Sequence, residues 1–170
     1  LGVSILIIVM SVMNGFRTDL TNKIIGLNPH IVIKSNGSNS NNKLKKRLEK
    51  TYQNFNITES YNGEGIIMVN EAIKGVLVKG VNINNHKSID FIKKKLIKGN
   101  FNKFKENSIL IGNELAFDLG LNIGDKINIT SSAFVKTPVG NIPKQDNYLI
   151  AGIFNSGFFE YDQNVVFLNI

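Results

Sequence analysis

The sequence predicts an α+β fold headed by part of a transmembrane helix, on three observations. The opening "LGVSILIIVMSVM" runs 13 residues with no charge and only two hydroxyls. A strand, helix, strand, strand order follows as far as residue 82, the pattern of a helix packed on a small sheet. From residue 83 the chain is β-rich with two short helices, compatible with a small barrel or sandwich. At 170 residues it can form one domain or two small ones, with about 70 per cent of its surface buried on folding.

A membrane span needs about 20 apolar residues, so the opening reads as the second half of a truncated span. The first residue is Leu1 rather than Met, and Ile170 lies inside the apolar run "NVVFLNI", so a piece of a longer protein is expected. No Ala-x-Ala-like cleavage site follows the apolar block, against a secretory signal. Instead Val12, Phe16, Leu20, Ile24 and Leu27 recur every three or four residues and carry the helix onward with one apolar face. Asn28-Pro29 ends it, because proline disfavours the helical conformation of the residue before it, and "HIVIKS" reads as a first strand.

"SNGSNSNNK" (35–43) is a loop, and "KLKKRLEKTY" a helix with Leu44, Leu48 and Tyr52 inward and its lysines in water. "NITESYN", a turn at "GEG", "IIMVN" and "GVLVKGV" supply strands. Ser88 caps a helix "IDFIKKKLIK" ending at Gly99, with Ile89, Ile92 and Leu96 inward. "SILIG" is a short buried strand, Asn113 caps "ELAFDL", and Gly120 takes the left-handed exit position. "LNIGDKINITS" holds a Gly-Asp turn before an alternating strand, and "NYLIAGIF" and "NVVFLNI" are two more.

Composition excludes several chemistries. There is no cysteine, hence no disulfide and no thiolate metal site or nucleophile. The formal charge of +7 accompanies 25 asparagines and an Ile/Lys/Asn bias along the whole chain, which explains it without nucleic acid. "FIKKKLIKGNFNKFKEN" interleaves Lys with Phe, but Phe91, Ile92 and Leu96 fit a helix core face better than base-stacking positions. His30 and His86 have no partner at metal-ligand spacing, and no phosphate loop or nucleophile elbow is present. Glu160 and Asp162 of "FEYD" would share one face of a strand, with no nucleophile beside them.

The string "LGVSILIIVMSVMNGFRTDLTNKIIGLNPHI" resembles the end of the first transmembrane helix in lipoprotein-releasing ABC transporter permeases, the LolC/LolE family. "VLVKGVNIN", "ILIGNELAFDLGLNIGDKINI", "TPVGNIPK" and "YLIAGIFNSGFFEYD" follow in the family's order and spacing, over nearly the whole chain. The resemblance implies a MacB-like periplasmic core domain. Residues 1–28 would be the end of transmembrane helix 1 and its extension, 29–82 the first part of a porter-like subdomain, and 83–170 a sabre-like β-rich subdomain. It implies a multi-pass subunit in the bacterial inner membrane, with this domain in the periplasm, that extracts lipoproteins and hands them to a LolA-like carrier. Its expected partners are a LolD-like ATPase subunit that binds ATP and magnesium, a second LolC/LolE-like permease or second copy, the carrier and the lipoprotein. The chain itself would be no enzyme and hold no cofactor or metal. The alternative is a macrolide-exporter-like or FtsX-like permease domain with another cargo.

Two site expectations follow from the resemblance. Two prolines stiffen a loop and remove donors, so "TPVGNIPK" reads as a rigid hairpin tip bracketing "VGNI". The matching hairpin in the LolC type engages the carrier, which implies that role for Thr137, Pro138, Val139, Gly140, Asn141, Ile142, Pro143 and Lys144. An ordinary stiff hairpin is the other reading, since LolE-type subunits have related loops without this duty. The family often places basic residues after the second proline, whereas here Gln145 and Asp146 follow Lys144, which leaves LolC-like, LolE-like and a merged subunit open. Met10, Met13 and Phe16 fall at helical spacing near the outer leaflet, where thioethers and an aromatic ring suit lipoprotein acyl chains or neighbouring helices equally.

Overall fold

A computed structural model describes residues 2–27, 29, 31–34, 41–55, 57, 59–69, 71–83, 92–138 and 140–169. The chain divides into two compact units, Leu1–Leu44 and Lys45–Ile170. In the first, α1 (Gly2–Leu27) is one helix, and Gly2–Thr21 is long and apolar enough to cross a membrane. The apolar block and its amphipathic continuation are thus one element, as the helical spacing implied. Thr18 Oγ1 donates to the Asn14 carbonyl at 2.9 Å, so the hydroxyl is satisfied within the helix. Residues 31–34 are not a strand: Ile31, Val32 and Ile33 are exposed, and no described residue pairs with them. A β-prone sequence becomes a strand only when a neighbour takes up its hydrogen bonds.

The helix α2 (Asn41–Thr51) starts two residues earlier than the lysine-rich spacing suggested, inside the expected 35–43 loop, and Tyr52 lies just past its end. Residues 35–40, His30, His86 and the expected cap at Ser88 lie outside the described residues.

In the second unit, β1 (Ser60–Val69) and β2 (Ala72–Val81) pair antiparallel from Ser60↔Val81 to Val69↔Ala72. The expected turn at Gly63-Glu64-Gly65 is absent, because β1 runs straight through it. Gly65 serves a close approach instead: a Cβ there would sit 2.7 Å from Ile129 Cγ2 on the neighbouring strand. The lysine-rich helix likewise ends three residues earlier than its spacing implied. Residues 92–95 are helical (α3), and β3 (Leu96–Gly99) then pairs antiparallel with a later strand. Two glycines explain the switch. Gly152 leaves room for Leu96, whose Cδ1 lies 2.7 Å from where a Cβ would be, and Gly99 has φ +99° against the Ala151 backbone. Ile92 and Leu96 still face inward.

The strand β4 (Ser108–Gly112) is buried throughout. It leads into α4 (Asn113–Asp118), whose cap is Gly112 rather than Asn113, with no side-chain capping bond. Gly120 exits at φ +63°, and the Leu121 N–H returns to the Ala116 carbonyl at 2.8 Å. Gly124 at φ +92° and the Asn122 N–H bond to Asp125 Oδ2 (2.7 Å) form the predicted turn. Then come β5 (Lys126–Thr137), β6 (Gly140–Phe154), α5 (Phe159–Asn164) and β7 (Val165–Asn169). "FEYD" is therefore helical, not extended.

The sheet order is β3-β6-β4-β7-β2-β1-β5, and β5 also pairs with β6. Six strands thus close into a barrel-like ring, with β3 added beside β6; it needs β1 and β2, whereas a barrel or sandwich was expected from the strands after residue 83 alone. Strands before and after residue 83 share this sheet, since β2 pairs parallel with β7 from Leu77↔Val165 to Val81↔Asn169. Side chains alternate across it. Ile109, Ile111, Ile127, Ile129, Val166 and Ile67 pack on one face, while Leu110, Phe154, Val165 and Phe167 pack on the other with Phe104 and Ile92.

The start of α4 is tied to α5 by backbone contact. A Cβ on Gly112 would overlap the Asp162 backbone, 2.6 Å from its Cα. Gly112→Ala is expected to destabilise the fold by about 3 kcal/mol, because the Gly112 backbone is held in β4 and Asp162 is held by its carboxylate on the Ser156 N–H; a lowered thermal unfolding midpoint checks this.

Candidate functional site

Strands β5 and β6 pair from Lys126↔Leu149 to Thr137↔Gly140. Their inner part belongs to the barrel, with Ile127 and Ile129 buried. A register shift between Thr130 and Phe134 bulges β5, and the Ala133 N–H is held by Ser131 Oγ at 3.3 Å. Beyond the bulge the two strands form an exposed arm. Its cross-strand pairs are Phe134↔Pro143, Val135↔Ile142, Lys136↔Asn141 and Thr137↔Gly140.

The chain reverses between Thr137 and Gly140, two residues earlier than the proline brackets suggested, so Asn141, Ile142, Pro143 and Lys144 lie on the return strand. Pro138 sits in the turn, and Val139 is outside the described residues. Gly140 has φ +133°, which a side chain would resist, and Thr137 Oγ1 donates to its carbonyl at 2.7 Å. Pairing puts apolar side chains on both faces of the arm: Phe134 (65 % exposed) opposite Pro143, and Val135 (48 %) opposite Ile142 (51 %). Phe134 and Val135 were missed in the sequence; the apolar run Ala133-Phe134-Val135 just before Pro138 was the available signal. At the arm's base Lys144 Nζ meets Asp146 Oδ2 at 2.9 Å, and the hydrogen bond to Asp146 raises the ammonium's pKa. Lys144 is thus paired within its own strand.

On α1, Met13 and Phe16 line a shallow apolar groove with Ile8, Val9 and Val12. Met10 is exposed but stands off this lining, about 120° around the helix from Phe16.

The two carboxylates of "FEYD" part company. Glu160 is exposed, while Asp162 is buried and accepts the Ser156 N–H with both oxygens at 2.9 and 3.0 Å. Asp162 fastens the loop between β6 and α5. Beside it Lys79 Nζ donates to Tyr161 Oη at 3.1 Å. Burial lowers the Lys79 pKa from 10.5 and, with Asp162 nearby, raises that of Tyr161.

The chain joins a helix of membrane-spanning length to an α+β unit bearing a projecting arm, the outline of a membrane-attached domain. Comparison with known proteins narrows that class. Lipoprotein-releasing system transmembrane proteins LolC are similar along the chain: 25% identical in Xylella fastidiosa (strain Temecula1), over 100% of this chain, and 30% in Buchnera aphidicola subsp. Schizaphis graminum, over 99%. LolE of Haemophilus influenzae is 30% identical over 78% of the chain. The chain spans 42% of the length of these LolC proteins. No family model matches it. Among solved structures, the extracellular domain of the noncanonic ABC-type transporter YknZ from Gram-positive bacteria is 13% identical, with a TM-score of 0.48 over 74% of this chain and 59% of that one. The resemblance read from the motifs therefore holds along the whole chain, which is similar in sequence to LolC and LolE proteins.

Two outcomes test the electrostatics. Asp162→Ala leaves the Ser156 N–H buried without an acceptor and is expected to cost about 2 to 3 kcal/mol in chemical denaturation. Because the unfolded chain holds the Lys79 proton more tightly than the folded one, stability should rise with pH through the window just below 10.5. In Lys79→Met that rise should vanish from denaturation midpoints measured from about pH 8 to 10.

Proposed function

We propose that this chain is the membrane-exit helix and much of the periplasmic domain of a permease subunit, in an ABC-type complex that extracts lipoproteins from the bacterial inner membrane. ATP and magnesium are bound by a separate ATPase subunit, and a second permease subunit or copy completes the membrane part. The β5–β6 arm is the docking hairpin for a LolA-like periplasmic carrier, through residues Thr137 to Lys144 together with Phe134 and Val135. In this reading residues 29–82 begin the porter-like part and 83–170 form the sabre-like part.

The observation that carries the docking role is the exposed arm itself. Phe134, Val135 and Ile142 stand in water on a two-stranded projection, where they contribute nothing to the core. Large apolar side chains on a stiff projection suit a partner's apolar surface, and stiffness limits the entropy lost on docking. The similarity of this chain to part of the LolC proteins supports the cargo assignment. On α1 the groove of Met13 and Phe16 suits an acyl chain, because flexible thioethers adapt to variable shapes; Met10 adds a neighbouring thioether on the same helix.

Val135→Ser with Ile142→Ser should leave the unfolding midpoint within about 0.5 kcal/mol of wild type while abolishing crosslinking of the arm to purified carrier. Full crosslinking by that double variant would remove the docking role. Phe16→Glu should abolish lipoprotein release from reconstituted vesicles, and undiminished release would sink the acyl-chain contact.

A further inference from the structure

The segment that edges the sheet beside β6 carries a local excess of charge. From Ile92 to Glu106 stand Lys93, Lys94, Lys95, Lys98, Lys103 and Lys105 against one carboxylate, Glu106. Spread evenly, the 20 basic residues of the 170-residue chain would put about two in any 15. The Ile/Lys/Asn bias therefore explains the net charge but not this density. The fold turns the lysines outward. Ile92, Leu96 and Phe104 pack into the second apolar cluster with Phe101 against it, and β3 is fastened to β6 by Leu96↔Phe154 and Gly99↔Gly152. The Asn155 N–H also holds the Lys95 carbonyl at 2.8 Å. On the water side Lys93, Lys94, Lys98, Lys103 and Lys105 are exposed, with Lys95 half-buried. Among the described residues none of the six ammoniums is paired with a carboxylate. β3 ends the sheet order, and protection of that edge accounts for Lys98. It leaves Lys93, Lys94, Lys103 and Lys105 unexplained, since they lie outside β3.

Unpaired cations on a fixed backbone suit an anionic partner, and the residue types select which. All six are Lys, while the two arginines, Arg17 and Arg47, lie elsewhere. Compact charges on flexible stems suit a diffuse field of headgroups, whereas a discrete phosphate site favours the planar fork of Arg. Phe101 is half-buried and Phe104 buried beside it, with ring centroids 5.7 Å apart, so neither offers an open face to a base. The large apolar side chain that does stand in water is Ile97, between Lys95 and Lys98, and an aliphatic group among lysines is the combination that enters a headgroup layer. A membrane is moreover a surface that the chain brings with it, because α1 is long and apolar enough to cross one.

We infer that the water side of residues 93–105 is a membrane-contact patch: its lysines hold anionic phospholipid headgroups and Ile97 enters among them. This rests on α1 crossing the membrane and is independent of the carrier and the cargo. Being tethered through α1, the patch meets the bilayer at high effective concentration, so lysines that each contribute modestly suffice to hold it there.

The test uses the full membrane protein in lipid nanodiscs, with a fluorophore on Asn102→Cys, an exposed position between Lys98 and Lys103, and a quencher carried on lipid. Discs with about a third phosphatidylglycerol should quench strongly at low salt, and at least about threefold less when made of phosphatidylcholine alone or held at about 0.5 M salt. Each lysine at an anionic surface is worth about fivefold in binding, so Lys93→Gln, Lys94→Gln and Lys98→Gln together should remove most of the quenching. Lys103→Gln with Lys105→Gln, on the other side of the label, should lower it as well, so that a folding fault near β3 cannot imitate the result. Equal quenching in neutral and anionic discs, or undiminished quenching in both variants, would overturn the patch. Loss of quenching on adding inorganic phosphate at constant ionic strength would point to a discrete phosphate site and overturn it too. A protein that inserts but shows no quenching removes the patch alone; one that does not enter the discs removes the α1 span and the patch with it.

Discussion

The closure of β5 between β1 and β6 is the constraint on which the rest of the second unit depends. Residues 128–130 of β5 are paired on both sides at once, to Ile66–Met68 on β1 and to Gln145–Asn147 on β6. At the end of that pairing Gly65 leaves room for Ile129, whose Cγ2 lies 2.7 Å from where a Cβ would be. Once the ring is shut, Ile67, Ile109, Ile127, Ile129 and Val166 share one dry interior, and α4 can close over it through Leu115 and Ala116. Without closure β5 would be an edge strand, and the arm would have no fixed base.

What the sequence made legible was local. The apolar block with its helical continuation, the fully buried "SILIG", and the left-handed glycines 120 and 124 follow from the periodicity and turn chemistry of neighbouring residues. What escaped depended on partners far along the chain. Gly63-Glu64-Gly65 looked like a turn because the reason for Gly65 lies at Ile129. Residues 96–99 carried a helical pattern, yet Gly152 opens a place for Leu96 and draws them into the sheet. "FEYD" is helical because the Asp162 carboxylate is fixed on the Ser156 N–H, a bond no spacing rule announces.

The same division holds for the sites. The hairpin was readable from its two prolines, but its tip was displaced, because proline suits both the turn at 138 and an outward-facing strand position at 143. Phe134 and Val135 acquire their meaning only once the register sets them opposite Pro143 and Ile142. On α1, spacing of three residues put Met10, Met13 and Phe16 in one series, whereas a helix spreads two such steps over a third of its circumference. The groove accordingly gathers Val9, Val12 and Ile8 about Met13 and Phe16.

β6 is a single strand of 15 residues, exposed where it leaves the turn and buried from Ile150 to Phe154. A load applied at its outer end is therefore carried lengthwise into the barrel. There β4 holds it on one side and β3 on the other, and the hydrogen bonds lie across the direction of pull. Bonds so placed share the force and yield together, unlike those of a hairpin opened from its end. Along β6 the exposed arm and the packed interior are thus one continuous strand, with no joint between them.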